Sequence, residues 1–510
     1  MHDDLSIKRL LARLETLEAE MAALRRENRQ RHLANEMLRL DNERLRHDNE
    51  QFRGENQQLR QENEQLRRDN QHLHDEIARL KKNSSNSSKP PSSDIVKPPQ
   101  DPPRRGRKRK IGGQPGHPRH QRPPFDADQI DKICLHELPP QEIRRRRLRP
   151  LQEWRVLQQV EWIDKPYVVT EHRARCYLTP SGRLVQAPMP PEIRGEGLLG
   201  PNLTALVGWL KACGHVSDGR IGEFFRDVLN LPISGGYLSG CCTGKLSEAL
   251  KPAYEEAASA LRQEAVLGSD ETGHYHGGQG YWTWCLRAAR FTIFHIDPTR
   301  ATQVLVDLLG EDFGGILTVD YYSANRSFAD RFEVRAQYCW SHLLRDVKFL
   351  RELGRPPLAR WADQLLAIAR GLFRAWHRRT GADPPRWRRQ MERWKRAFLE
   401  KIRRPPQEAD ALKLSRRFDR HGAPTYFRFL DEPGVEPTNN ATERAIRQPV
   451  LDRRITQGTR SERGLRWCER AWTAAATCSQ QGRSTFRFFR DALVAYLAHS
   501  AAPSLLPANP

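Results

Sequence analysis

No apolar run in this chain of 510 residues approaches the roughly 18 residues that a membrane span needs. The opening Met1-His2-Asp3-Asp4 lacks a basic stretch followed by an apolar one, so no secretory leader is expected. Paired cysteines are lacking too. The nine are scattered, at 134, 176, 213, 241, 242, 285, 339, 468 and 478, an odd count that argues against a disulfide framework and fits reduced thiols in a cytoplasm. Apolar residues make up 38%, below the usual globular share, which implies a polar segment beside a globular part. Acidic residues are few relative to basic ones, 63 against 85, and the net charge is +22. That imbalance points to a polyanionic partner, nucleic acid before a membrane surface. The length exceeds one ordinary core and leaves room for about two to four domains.

The first 82 residues carry no share of the excess, with 17 basic and 17 acidic side chains. They repeat every seven residues. Leu38, Leu45, Phe52, Leu59, Leu66, Leu73 and Leu80 form one series, and Asn28, Asn35, Asn42, Asn49, Asn56, Asn63 and Asn70 a second. With the apolar series at d, each Asn falls at a, the pattern of a left-handed coiled coil. An Asn ladder at a costs stability and enforces register, so a weak, in-register dimer is expected; a solvated lone helix is the alternative. A Ser/Pro-rich linker follows, then Arg104, Arg105, Arg107, Lys108, Arg109 and Lys110, six cations within seven residues. Residues 83–150 hold 16 basic and 7 acidic side chains, the densest positive charge in the chain. A basic arm on a flexible tether engages DNA phosphates without reading sequence; a solubilising linker is the alternative.

Cys134 with His136, and His172 with Cys176, offer four metal donors on paper but not the close cysteine pairs of ordinary zinc sites. Residues 197–264 show apolar positions at helical spacing, with a turn at 232–236, compatible with helix-turn-helix DNA binding or a plain bundle. From 265 the pattern turns to strands, at 265–270, 281–286, 291–296, 315–320 and 335–340, with a helix at 301–309. A mixed sheet covered by helices is predicted.

Asp270 and Asp320 each end an apolar strand pattern. Neighbouring strands lie about 4.8 Å apart, so two such carboxylates converge if their strands pair. Crowded carboxylates repel unless a cation lies between them, and Mg²⁺ suits carboxylates plus phosphate oxygens. Glu443, in Asn439-Asn440-Ala441-Thr442-Glu443-Arg444-Ala445-Ile446-Arg447, is the candidate third carboxylate. Arg447, four residues on, shares a helical face with it and either binds phosphate or pairs with the glutamate. Glu271 is expected to point away from Asp270 on a strand.

Several ordered blocks resemble transposases of the insertion sequence 66 family. They are Asn86 to Asp94 in the linker, Gly112 to His117, Ser269 to Thr272, Val319 to Asn325, Cys339 to Asp346, and Asn439 to Arg447. The resemblance implies a DDE transposase of multidomain α+β architecture. Its parts would be a coiled coil (1–82), a linker and basic arm (83–125), and a small domain resembling a degenerate zinc-binding segment (126–196). A helical DNA-binding region (197–264) and a ribonuclease H-like α/β catalytic domain (265–465) would come next. That domain would carry a helical insertion at about 355–430, and a C-terminal helical tail (466–510) would end the chain.

The resemblance also implies that Asp270, Asp320 and Glu443 bind two Mg²⁺ ions, for which Mn²⁺ could substitute, while zinc is not expected without paired cysteines. Arg444 and Arg447 would join the arm in binding DNA. The expected activity is cleavage at transposon ends and strand transfer into target DNA, in a bacterial cytoplasm at the nucleoid. Expected partners are DNA, further copies of the chain and accessory proteins of the same element, with no membrane. An inactive DNA-binding regulator and a nuclease without strand transfer are the competing readings.

Overall fold

A computed structural model describes residues 3–81, 197–420, 422 and 424–506, with shorter stretches between 124 and 188. The basic cluster from Arg104 to Lys110 lies outside the described residues, as does His136. No helix among the described residues is long and apolar enough to cross a membrane.

The seven-residue repeats form a single helix, α1 (Asp3–Leu80). Leu38, Leu45, Phe52, Leu59, Leu66 and Leu73 remain 55–59% exposed, so none of the described residues covers the series. Asn49, Asn56 and Asn63 turn back and donate to the carbonyls of Leu45, Phe52 and Leu59 at 2.9, 2.9 and 3.1 Å. Among the described residues, contacts to the rest of the chain fall at the base of α1. Asp75 pairs with Arg355, whose other guanidinium nitrogen reaches Glu408 at 2.5 Å. A short helix, α2 (Pro140–Arg145), and an antiparallel hairpin, β1 (Cys176–Leu178) with β2 (Leu184–Gln186), come next. Cys134 and Cys176 are both exposed.

Four helices then pack together: α3 (Pro201–Ala212), α4 (Asp218–Asp227), α5 (Gly235–Cys241) and α6 (Ser247–Ala260). Ser217 and Ser234 cap α4 and α5 by accepting from the N–H groups of Arg220 and Tyr237. The sheet comprises β3 (Val266–His276), β4 (Gln279–Arg287), β5 (Thr292–Asp297), then α7 (Thr302–Leu309), β6 (Ile316–Val319), α8 (Ser323–Arg331) and β7 (Arg335–Tyr338). Its order is β5-β4-β3-β6-β7, with β3, β4 and β5 antiparallel and β6 and β7 parallel to β3.

Two strand predictions are corrected. β3 does not stop at Asp270 but runs on to His276, because Gly277 and Gly278, both at positive φ (56° and 83°), close a two-residue hairpin that keeps it paired with β4. The strand expected at 335–340 ends at Tyr338. Cys339 caps a helix, α9 (Trp340–Glu352), and the Trp340 ring is buried against Phe373, Phe398 and Phe427.

The stretch expected as an insertion is helical: α10 (Pro356–His377), α11 (Pro384–Ile402), α12 (Ala409–Arg420) and α13 (Pro424–Phe427). The chain returns through α14 (Asn440–Ala445) and α15 (Arg447–Thr456) to α16 (Glu462–Gln481) and α17 (Thr485–Leu497). The boundary expected at 465 falls inside α16, which is continuous and packs on the sheet. Glu469, Thr473 and Thr477 accept the N–H groups of Ile296, Phe294 and Thr292 at 2.7, 3.0 and 3.1 Å. Four helical residues advance about 6.0 Å and two strand residues about 6.6 Å, so one face of α16 satisfies alternate donors along the edge strand. An edge that would otherwise invite strand addition is thereby closed.

Candidate active site

The parallel pairing of β3 with β6 ends at Gly268 opposite Thr318. Two residues further on, that register sets Asp270 beside Asp320. Asp270 accepts the N–H of Glu271 at 3.0 Å. Burial, and then the negative charges of Glu271, Asp320 and Glu443, hold its carboxyl well above the usual carboxylate range. Asp320 accepts from the Tyr322 N–H at 3.0 Å and from Asn325 Nδ2 at 2.8 Å, both through Oδ1. Asn325 is fully buried on α8 and orients the carboxylate, with the second oxygen left outside these bonds.

Glu443 arrives from far along the chain, and β3 admits it closely. A Cβ at residue 268 would lie 2.1 Å from Thr442 Oγ1 and 3.0 Å from Asn439 Oδ1, so glycine there lets α14 rest against the strand. Asn439 ties the junction by donating Nδ2 to the Ser269 carbonyl at 2.7 Å and its N–H to Cys339 Sγ at 3.2 Å. Glu443 faces α9, with His342 Nδ1 at 3.7 Å and an Arg345 guanidinium nitrogen at 3.9 Å. α14 ends at Ala445 and Arg447 opens the next helix. Arg444 and Arg447 are both exposed.

Sequence reasoning assigned no role to Arg300, Cys339, Asn325 or Asn439, and left His342 either orienting a nucleotide or satisfied in the core. Glu271, on the opposite side of β3, binds Arg300, with Nε at 2.8 Å. The Arg300 guanidinium lies 3.5 Å from the Tyr322 ring centre and 4.7 Å from that of Trp282. Burial and the charge of Asp320 push Glu271 up to about 7 despite that partner. Cys339 and His342 are hydrogen-bonded. Burial opposes charge on both, yet the contact holds the thiol below its ordinary value and, with the charge of Asp320, lifts the imidazole to about 9. The one available signal was position: Arg300, Cys339, His342 and Asn439 all lie just outside regular strands or within the ordered blocks.

Three carboxylates from two adjoining strands and one helix offer hard oxygen donors, the chemistry of Mg²⁺ rather than of a soft ion. Glu443 Oε1 is buried with no hydrogen-bond partner among the described residues, as an acceptor facing a cation would be. Cys339, His342 and Glu443 also bring ligand atoms within 4.8 Å of one another, a mixed set of soft and hard donors.

A mixed sheet with helices around it, and carboxylates crowded where parallel pairing ends, define an α+β protein built around an acidic site. The chain belongs to the Transposase IS66 family, whose profile matches residues 196–466. A second profile, a family of unknown function (DUF6444), matches residues 5–123. No curated protein matches the chain. Membership makes this a DNA-processing enzyme with DNA as its substrate, in a family generally dependent on divalent metal.

Proposed function

We propose that this protein cuts transposon ends and joins them to target DNA, with Asp270, Asp320 and Glu443 as its metal-binding triad. The observation that carries the reading is the convergence of Asp270 and Asp320 from the paired strands with Glu443, whose helix rests on Gly268 and whose Oε1 is buried with no hydrogen-bond partner among the described residues. A sheet ordered β5-β4-β3-β6-β7, with three antiparallel strands followed by two parallel ones, supports a ribonuclease H-like catalytic domain. When bound, two Mg²⁺ ions would activate the attacking oxygen and stabilise the leaving one, and Mn²⁺ could replace them.

The protein's own part is placement. Asp270 and Asp320 present oxygens from neighbouring strands, Asn325 fixes one of them, and Asn439 with Gly268 holds Glu443 against β3. Arg345 and His342 balance the glutamate from α9. Arg444 and Arg447, both exposed, and the arm from Arg104 to Lys110 take DNA phosphates. The α4–α5 pair serves as a helix-turn-helix-like reader. Water first cuts the transposon end to leave a 3′-OH, and that hydroxyl then attacks target DNA in line. The setting is the cytoplasm at the nucleoid, with accessory proteins of the same element as partners.

Incubation with DNA carrying the element's ends, in Mg²⁺ or Ca²⁺, followed by mapping of 3′ ends, tests the reading. Joined products support it. Cutting without joining identifies a nuclease, and metal-independent binding alone a regulator.

The exposed leucine series of α1 supports a coiled-coil homodimer or higher oligomer that brings two DNA ends together. Matched Asn residues at a hydrogen-bond across such a pair at the expense of tight packing. Replacing Asn49, Asn56 and Asn63 with Ile in the full chain should therefore raise the concentration-dependent melting of α1 and change the oligomer distribution in sedimentation. A wild-type chain that stays monomeric at all concentrations rejects the pairing.

A further inference from the structure

The geometry points to the solvent face of α11 as a DNA-phosphate rail, a surface separate from the arm and from the carboxylate site. The inference rests on DNA being the substrate.

Arg386, Arg389, Arg393, Arg396 and Arg403 recur at spacings of three and four, with one gap at Glu400. They therefore lie along one face of the helix and just beyond its end, over about 26 Å. All five are exposed, and none has a side-chain ion pair among the described residues. The helix's two acids do not neutralise them. Glu392 is matched to Lys395 at 3.2 Å and Glu400 to Arg404 at 3.2 Å. A merely solubilising helix face carries both signs at i, i+4 spacing, because unrelieved like charges repel. Here four guanidinium groups, from Arg386 to Arg396, stand in a row, and Glu400, the acid that interrupts the line before Arg403, is paired with Arg404.

The opposite face is locked, so the stripe has one direction. Met391, Phe398 and Ile402 are buried. Trp394 presses so close to Gly371 of α10 that a Cβ there would lie 2.4 Å from its ring. Trp361 and Trp387 donate to the carbonyls of Lys401 and Ala375 at 3.0 and 3.2 Å. Phe398 meets the Trp340 ring at 4.8 Å between centres. Trp340 begins α9, the helix whose His342 and Arg345 face Glu443. The row of cations is thus fixed to the element that borders the carboxylates.

Arginine suits the assignment. Its planar fork binds phosphate oxygens in pairs, and duplex DNA offers a charge about every 1.7 Å of axis. Contacts of this kind hold the DNA in place without reading bases.

The test measures the affinity of the full chain for a duplex of arbitrary sequence across a range of salt concentrations. Joint replacement of Arg386, Arg389, Arg393 and Arg396 by Gln should flatten the log–log salt slope by up to roughly 3.6, about 0.9 per lost contact. Arg393→Gln alone should flatten it by about 0.9, and the fourfold Arg→Lys chain should keep most of the slope. The single and Lys variants keep the test decisive if the fourfold Gln chain folds poorly. A fourfold Gln slope within about 0.9 of wild type, less than one contact's worth, overturns the rail while leaving catalysis untouched. A wild-type chain that binds DNA steeply with salt yet never cuts it refutes the transposition reading and not the rail. A wild-type chain that does not bind DNA overturns both.

Discussion

Asp270→Asn, Asp320→Asn and Glu443→Gln should each lower end cleavage and strand transfer by roughly 1,000-fold or more, with DNA binding retained. Each change keeps size and shape but removes a negative charge from the cluster. Phosphoryl transfer in line depends on that charge to place the divalent ions and to stabilise the developing charge on the leaving oxygen. In the proposed reading binding rests on the arm, the helices before the sheet and exposed arginines, so filter binding or anisotropy should change little. It should tighten slightly where a carboxylate that repels phosphate is neutralised. Asp320→Asn carries a further consequence, because Asn325 Nδ2 donates to Asp320 Oδ1 at 2.8 Å. An introduced amide must present its oxygen to Asn325, which turns its NH₂ into the site. Near-normal strand transfer by Asp320→Asn would remove that residue from the triad. Glu271→Gln should act differently, since Glu271 bonds Arg300 on the far side of β3. Its main effect should be a loss of stability, because Arg300 loses its charged partner.

Gly268→Ala should be the most damaging change that removes no chemical group. The added methyl would lie 2.1 Å from Thr442 Oγ1, and Thr442 is buried on α14 with no room to swing away. The strain is relieved only if α14 moves outward and carries Glu443 with it. Overpacking of this kind costs about 1–3 kcal/mol. A displacement near 1 Å at a reacting group costs roughly 100-fold in rate. Cleavage should therefore fall by about two orders of magnitude while the protein remains folded and binds DNA. The companion change Thr442→Ala removes the closest clashing atom, so the double variant should recover much of the lost activity and stability. That coupling separates displacement of α14 from general damage. Equal activity in Gly268→Ala and wild type would show that α14 does not depend on this contact.

Local periodicity encodes much of the secondary structure. Seven-residue spacing of Leu and Asn specifies one uninterrupted helix over α1, because side chains at that interval share a face whatever lies beside them. Apolar runs at 266–270 and 316–319 specify strands, and the tryptophan-rich stripes of 355–430 specify amphipathic helices, for the same reason. Asp270 and Asp320 were legible because each closes an apolar run. Local pattern misplaced the end of β3, where paired glycines extend a hairpin, and the start of α9, where a buried Trp340 ring outweighs a strand-like run.

The approach of Glu443 follows from long-range packing. Asn439 bonds Ser269 across 170 residues, and Gly268 matters solely because α14 comes to rest on it. That packing also brought Arg300 to the rings of Trp282 and Tyr322, and joined α16 to the edge of β5. These outcomes depend on which surfaces meet after the chain doubles back. Residue spacing encodes the face that a side chain takes on its own element, whereas the partner element is selected by close packing and by the requirement that buried polar groups find one another.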